Sequence, residues 1–142
     1  AGKARFILIN SGVGHAFPTY VTPKVTMHAV ALGANGKPLA DTAASHVIQR
    51  SVSSTSSGRV ENFDTRLLPG QSAVLDLAWG EQGKVRMWLE VHPDDFYDHY
   101  IYDGLLGSLP AGSPGHRLIA EADAKAGASH YRLFETELER PD

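Results

Sequence analysis

The sequence predicts a mainly β fold, an antiparallel β-sandwich with two helices appended near its C-terminus. Three observations carry this. Short runs rich in β-branched and apolar residues recur through residues 1–92, separated by Gly/Pro turn clusters. Lys84–Val91 alternates cleanly, with Val85, Met87, Leu89 and Val91 on one face and Lys84, Arg86, Trp88 and Glu90 on the other. After Pro93 the apolar period changes from two to that of a helix.

Phe6-Ile7-Leu8-Ile9 reads as a buried strand, broken after Asn10 by Ser11-Gly12-Val13-Gly14. In Val21–Leu32 the residues Val25, Met27, Ala29 and Ala31 share one parity, and the turn cluster Gly33–Pro38 follows. His46–Val52 is a further strand, and the Ser/Thr/Gly-rich stretch Ser51–Gly58 reads as a flexible loop. Thr65–Leu68, Pro69-Gly70 and Ser72–Trp79 read as strand, type II turn and strand, with Gly70 supplying a positive φ. About seven strands in this rhythm suggest an immunoglobulin- or fibronectin-like sandwich.

Pro93-Asp94-Asp95 is a helix start, with proline early and acids in the first turn. Phe96, Tyr97, Tyr100, Ile101 and Leu105 follow at helical spacing up to Gly107. After the linker Gly112–Gly115, His116–Ala128 is a second helix, and Tyr131–Leu138 alternates like an edge strand. The chain therefore reads as one domain, 1–142, made of a β-sandwich over 1–92, a helical appendage over 93–128 and a terminal strand and tail over 129–142.

Composition narrows the function. A chain of 142 residues, 42% hydrophobic and 20% charged, suits one domain with its own core. A net charge of −3 lacks the basic field of a nucleic-acid surface, and no polybasic run suggests anionic lipid. No stretch approaches the ~18 apolar residues of a membrane span. Cysteine is absent, which excludes a disulfide, a thiolate nucleophile, iron–sulfur ligation and a CxxCH heme attachment within these residues. No Gly-x-Ser-x-Gly elbow, phosphate loop or convincing carboxylate pair points to an enzyme.

The segment Asn10–Thr19 stands out. Two glycines and Pro18 frame His15, with Phe17 beside it, in a short loop suited to holding an imidazole in a fixed orientation. Such a histidine serves a metal or heme iron, or simply bonds backbone in a turn. A second constellation is His92, Asp95 and His99: Asp95 and His99 share a helix face at i, i+4, and imidazole and carboxylate together suit several divalent ions. The competing reading is that the acids complement the helix dipole. Phe96, Tyr97, Tyr100 and Tyr102 form an aromatic cluster that packs in the core or presents a docking surface. His28 falls opposite the apolar parity, His46 and His116 begin elements, and His130 lies in the terminal linker.

Gly14-His15-Ala16-Phe17-Pro18-Thr19, after a strand ending in Asn10, resembles the N-x-G-x-GH-x-FPT signature of β-rich domains in multiheme c-type cytochromes. Asp64–Gln71 resembles the DTRL-x-PG strand–turn of the same domains, and Ser129–Glu135 resembles their ending. The resemblance touches the start, middle and end of the chain. It implies a non-catalytic domain or subunit of extracytoplasmic electron transfer, periplasmic or extracellular once any signal peptide is removed. Such a domain docks on or shields hemes of a multiheme cytochrome. Heme c would come from a partner or from another part of the same protein, and His15, with Phe17 and Pro18, is the residue placed to contact or ligate its iron. The readings that stay open beside it are an assembly or adhesion sandwich of an extracellular complex, and a metal-binding protein using His15 or the His92/His99 pair.

Overall fold

The computed structural model describes residues 2–141. It contains eight strands: β1 Lys3–Ile9, β2 Lys24–Ala31, β3 Ala44–Ile48, β4 Arg50–Thr55, β5 Gly58–Asp64, β6 Ser72–Ala78, β7 Lys84–His92 and β8 Tyr131–Glu139. Between β7 and β8 run a π-helical turn, Tyr97–Tyr102, and the helices α1 Asp103–Ser108 and α2 Pro114–Gly127. The fold is thus β-rich and antiparallel with C-terminal helices, as expected.

The central sheet has the order β3-β2-β7-β8, β1 pairs with β6, and β4 pairs with β5, all antiparallel. The two-period pattern explains the layers. Val25, Met27, Ala29 and Ala31 of β2 and Val85, Met87, Leu89 and Val91 of β7 point one way and are buried. Ala4 of β1 and Ala73, Leu75 and Leu77 of β6 meet them from the second layer, and Phe6, Leu8 and Phe17 close the flank. Each fully buried Met or Leu here stabilises the fold by roughly 1.5–3 kcal/mol.

Four details differ from the sequence expectation. β1 is buried on one face only: Phe6 and Leu8 pack inward while Ile7 and Ile9 are about half exposed. The stretch read as a single strand at 46–52 divides at Gln49 into β3 and β4. The Ser-rich segment read as a loop is the β4–β5 hairpin, turned at Gly58 with φ +128°. Its strands escape notice because β5 is exposed throughout and carries no apolar alternation. Thr65–Leu68 is not a strand; Leu67 makes an isolated bridge to Phe17 instead. The turn at Pro69-Gly70 is as expected, with Gly70 at φ +81°.

Ser113 caps α2 by accepting from the His116 amide, with Pro114 at the first helical position. The aromatic residues of the π-helical turn pack on one another: Phe96 stacks on Tyr100 at 5.6 Å and meets Tyr97 edge-on at 5.9 Å. Tyr97 and Tyr100 stay exposed. The Phe96 amide donates to Thr22 O and so ties this turn back to the chain entering β2. No helix among the described residues is long and apolar enough to cross a membrane.

Candidate functional site

The loop after β1 is organised by Asn10, which is 5% exposed. Its amide Nδ2 donates to the carbonyls of His15 and Leu67, both at 2.8 Å. Its backbone N–H donates to Gln71 O at 3.0 Å, and its carbonyl accepts from Gly70 at 2.7 Å. Phe17 and Leu67 exchange two backbone hydrogen bonds of 2.8 Å. The Phe17–Pro18 peptide bond is cis, and Pro18 is buried. Gly12 and Gly14 play a smaller part than their sequence position suggests. Neither has a left-handed φ, and a Cβ at either would meet no atom within 4 Å. The loop's shape is held by Asn10 and by the bridge to Leu67.

A second tie comes from Arg66, whose Nη1 donates to Thr19 O at 2.9 Å. Its Nη2 and Nε grip Asp64 at 2.6 and 2.9 Å, a bidentate pair. The hydrogen bond from Arg66 outweighs partial burial and holds the Asp64 carboxyl below its ordinary value, while the same bond raises Arg66.

His15 itself is exposed at the loop's outer side. Its Nδ1 lies 3.0 Å from Ala16 O. A carbonyl only accepts, so this contact places the ring proton on Nδ1 and leaves the lone pair on Nε2. Thr19 Oγ1 sits 3.3 Å from the same Nδ1. Nε2 makes no hydrogen bond among the described residues. An imidazole anchored at Nδ1 on an exposed residue, with Nε2 free of hydrogen bonds among the described residues, is the arrangement a metal-ligating histidine needs.

Beside this loop lies an apolar groove of about 350 Å³, lined by Phe17, Pro18, Thr19, Tyr20, Pro23, Val25, Val91, Pro93, Tyr131 and Leu133. The three stretches singled out in the sequence therefore meet in space. Asp64–Gln71 braces the His15 loop, and the terminal stretch supplies Tyr131 and Leu133 to the groove that Phe17 and Pro18 line.

His92, Asp95 and His99 also come together. Asp95, 4% exposed, lies 3.9 Å from His92 Nδ1 and 3.6 Å from His99 Nδ1 through its Oδ1. Its carboxylate is already engaged: Lys24 pairs with Oδ1, and Gln49 Nε2 donates to Oδ2 at 2.8 Å. Asp95 thus fastens the start of the helical segment to β2 and to the β3–β4 junction.

Two residues beside His92 are not grouped with it by the sequence reading, which puts Glu90 on the polar face of its strand and His130 in the terminal linker. Glu90 Oε1 is 2.9 Å from His92 Nε2, and His130 stacks on His92 at 3.7 Å between centroids. The signal lay in strand register: Tyr131 pairs with Val91, so His130, one residue earlier, falls opposite His92.

No family model matches the chain, and no curated protein does. A solved structure does. The crystal structure of a penta-heme cytochrome c552 from Thermochromatium tepidum aligns over 96% of this chain with a TM-score of 0.60 at 14% identity. The chain spans 35% of the length of that cytochrome. At this identity the likeness is one of fold, and it defines the class: a β-rich domain with C-terminal helices whose architecture is shared with about a third of a multiheme cytochrome chain.

Proposed function

We propose that this chain is a non-catalytic accessory domain of a multiheme c-type cytochrome in extracytoplasmic electron transfer, and that His15 ligates a heme iron through Nε2. The observation that carries the reading is the anchored imidazole: Nδ1 on Ala16 O, the loop clamped by Asn10, and an exposed ring whose Nε2 makes no hydrogen bond among the described residues. The chain has no cysteine, so the heme is held covalently elsewhere, on a partner or on another part of the same protein. The groove bordered by Phe17, Pro18 and Tyr131 gives the porphyrin edge an apolar seat that keeps water from the iron. The likeness to a penta-heme cytochrome supports the association.

The test is titration of the chain onto a heme-bearing cytochrome module of its own host, followed in the Soret region. Docking is expected to convert one heme to a low-spin, nitrogen-ligated spectrum, and His15→Ala is expected to lose that change. An unaltered spectrum with both chains would remove His15 as a ligand.

A further inference from the structure

We infer that Glu90, His92 and His130 form a binding site for a divalent transition-metal cation of the zinc type, separate from the His15 loop. Each offers one ligand atom, and the three atoms lie within 4.8 Å of one another. Bonds of about 2.0–2.1 Å at tetrahedral angles set neighbouring ligand atoms about 3.3 Å apart. Glu90 Oε1 and His92 Nε2, at 2.9 Å, are already near that spacing. The His130 ring is stacked on His92 with planes 29° apart, and its exposure at the chain's entry to β8 leaves it room to turn toward the ion.

The surroundings fit this use. His92 Nδ1 is buried and has no hydrogen-bond partner, and it faces the buried Asp95 carboxylate at 3.9 Å. A histidine that binds a metal through one nitrogen directs the other at a carboxylate or carbonyl, which fixes the ring and raises its basicity. Asp95, held by Lys24 and Gln49, is rigid enough for that part. His28 Nε2, 3.5 Å from Glu90 Oε2, is a third imidazole nitrogen beside the carboxylate, outside the three-residue set. Its ring is held flat against Trp88 at 4.7 Å. Arg132, which pairs with Glu90 in register, turns its guanidinium to Glu135 at 2.7 Å and over Trp88 while bordering the cleft beside Glu90. This solvent-open cleft of about 250 Å³, bordered by Glu90, His130, Tyr131 and Arg132, gives an ion access. Two imidazoles and a carboxylate suit zinc, copper(II) or nickel(II) better than calcium or magnesium.

The experiment is calorimetric titration of Zn²⁺ into the 142-residue chain and its variants. The wild type is expected to bind one equivalent. His130→Ala, at an exposed position, and Glu90→Gln are each expected to weaken binding by more than about 100-fold, the upper end for loss of an outer-shell partner. His99→Ala and His15→Ala are expected to leave affinity within about threefold, since both lie outside the set. Absence of saturable binding by the wild type overturns the site. So does affinity that survives in His130→Ala and Glu90→Gln, or that is lost in His15→Ala.

Discussion

Asn10 donates through one amide nitrogen to both His15 O and Leu67 O, each at 2.8 Å, and so joins the histidine loop to the segment before the Pro69-Gly70 turn, 57 residues further on. This relationship makes the loop part of the sandwich rather than an appendage. Replacing Asn10 by Ala removes the donor to the part-buried His15 carbonyl and one of the two donors to Leu67 O. The expected cost is about 1–3 kcal/mol, read as a lower denaturation midpoint at unchanged slope.

The glycines of the same loop are expected to matter less. Gly14→Ala adds a methyl into open space at a φ that any residue adopts. Stability is expected to stay within about 0.5 kcal/mol of the parent in chemical denaturation. Gly70→Ala, at φ +81°, is expected to cost measurably more, because an L-residue there is strained.

Asp95 is the fastening between sheet and helical segment. Asp95→Ala strands the Lys24 ammonium and the Gln49 amide. A loss of roughly 3 kcal/mol is expected, at the low end for a broken buried pair, because the Lys24 side chain keeps 23% of its surface in water. Thermal unfolding checks it. Hydrogen exchange is also expected to quicken first over 96–108, the stretch that Asp95 ties down.

The Asp64–Arg66 pair gives stability a defined pH dependence. The folded Asp64 carboxyl lies below its ordinary value of 3.8, chiefly through the hydrogen bond from Arg66. Its contribution is therefore present above that value and disappears as pH falls through the lower, folded one. Asp123 acts in the opposite sense. Burial and the neighbouring Asp98 raise it, so its contribution is present in acid and fades as pH rises through the raised value. The stability difference between the parent and Asp64→Asn is expected to shrink on acidification below about pH 4, measured by urea unfolding across pH. A difference that stays constant down to pH 2 contradicts the pairing.

Much of this fold is legible in the sequence where burial imposes a period. β7 is legible because one face meets the core and the other does not. β2 shows the same parity more weakly, since Thr26 and Val30 of its other face are buried as well, and Pro93–Asp95 marks where the chain leaves the sheet. The β4–β5 hairpin is illegible for the same reason inverted: β5 buries nothing, so its pairing rests on backbone hydrogen bonds that leave no mark on composition. At the site, the sequence singles out His15 and the His92, Asp95, His99 set, because each is local in the chain. It misses His130 and Glu90, whose approach to His92 depends on the register of β8 against β7 across the whole helical segment. Asn10 as the clamp is equally non-local, since its partners lie at His15 and Leu67.

The account's central claim is that His15 reaches an iron through Nε2. Electron paramagnetic resonance of the heme-bearing assembly in which this chain is proposed to sit tests it most directly, comparing the parent with His15→Gly before and after adding imidazole. The expected result is loss of one low-spin ferric signal in the variant and its return with imidazole, which refills the vacated ligand position. An identical low-spin count in parent and variant would contradict the claim.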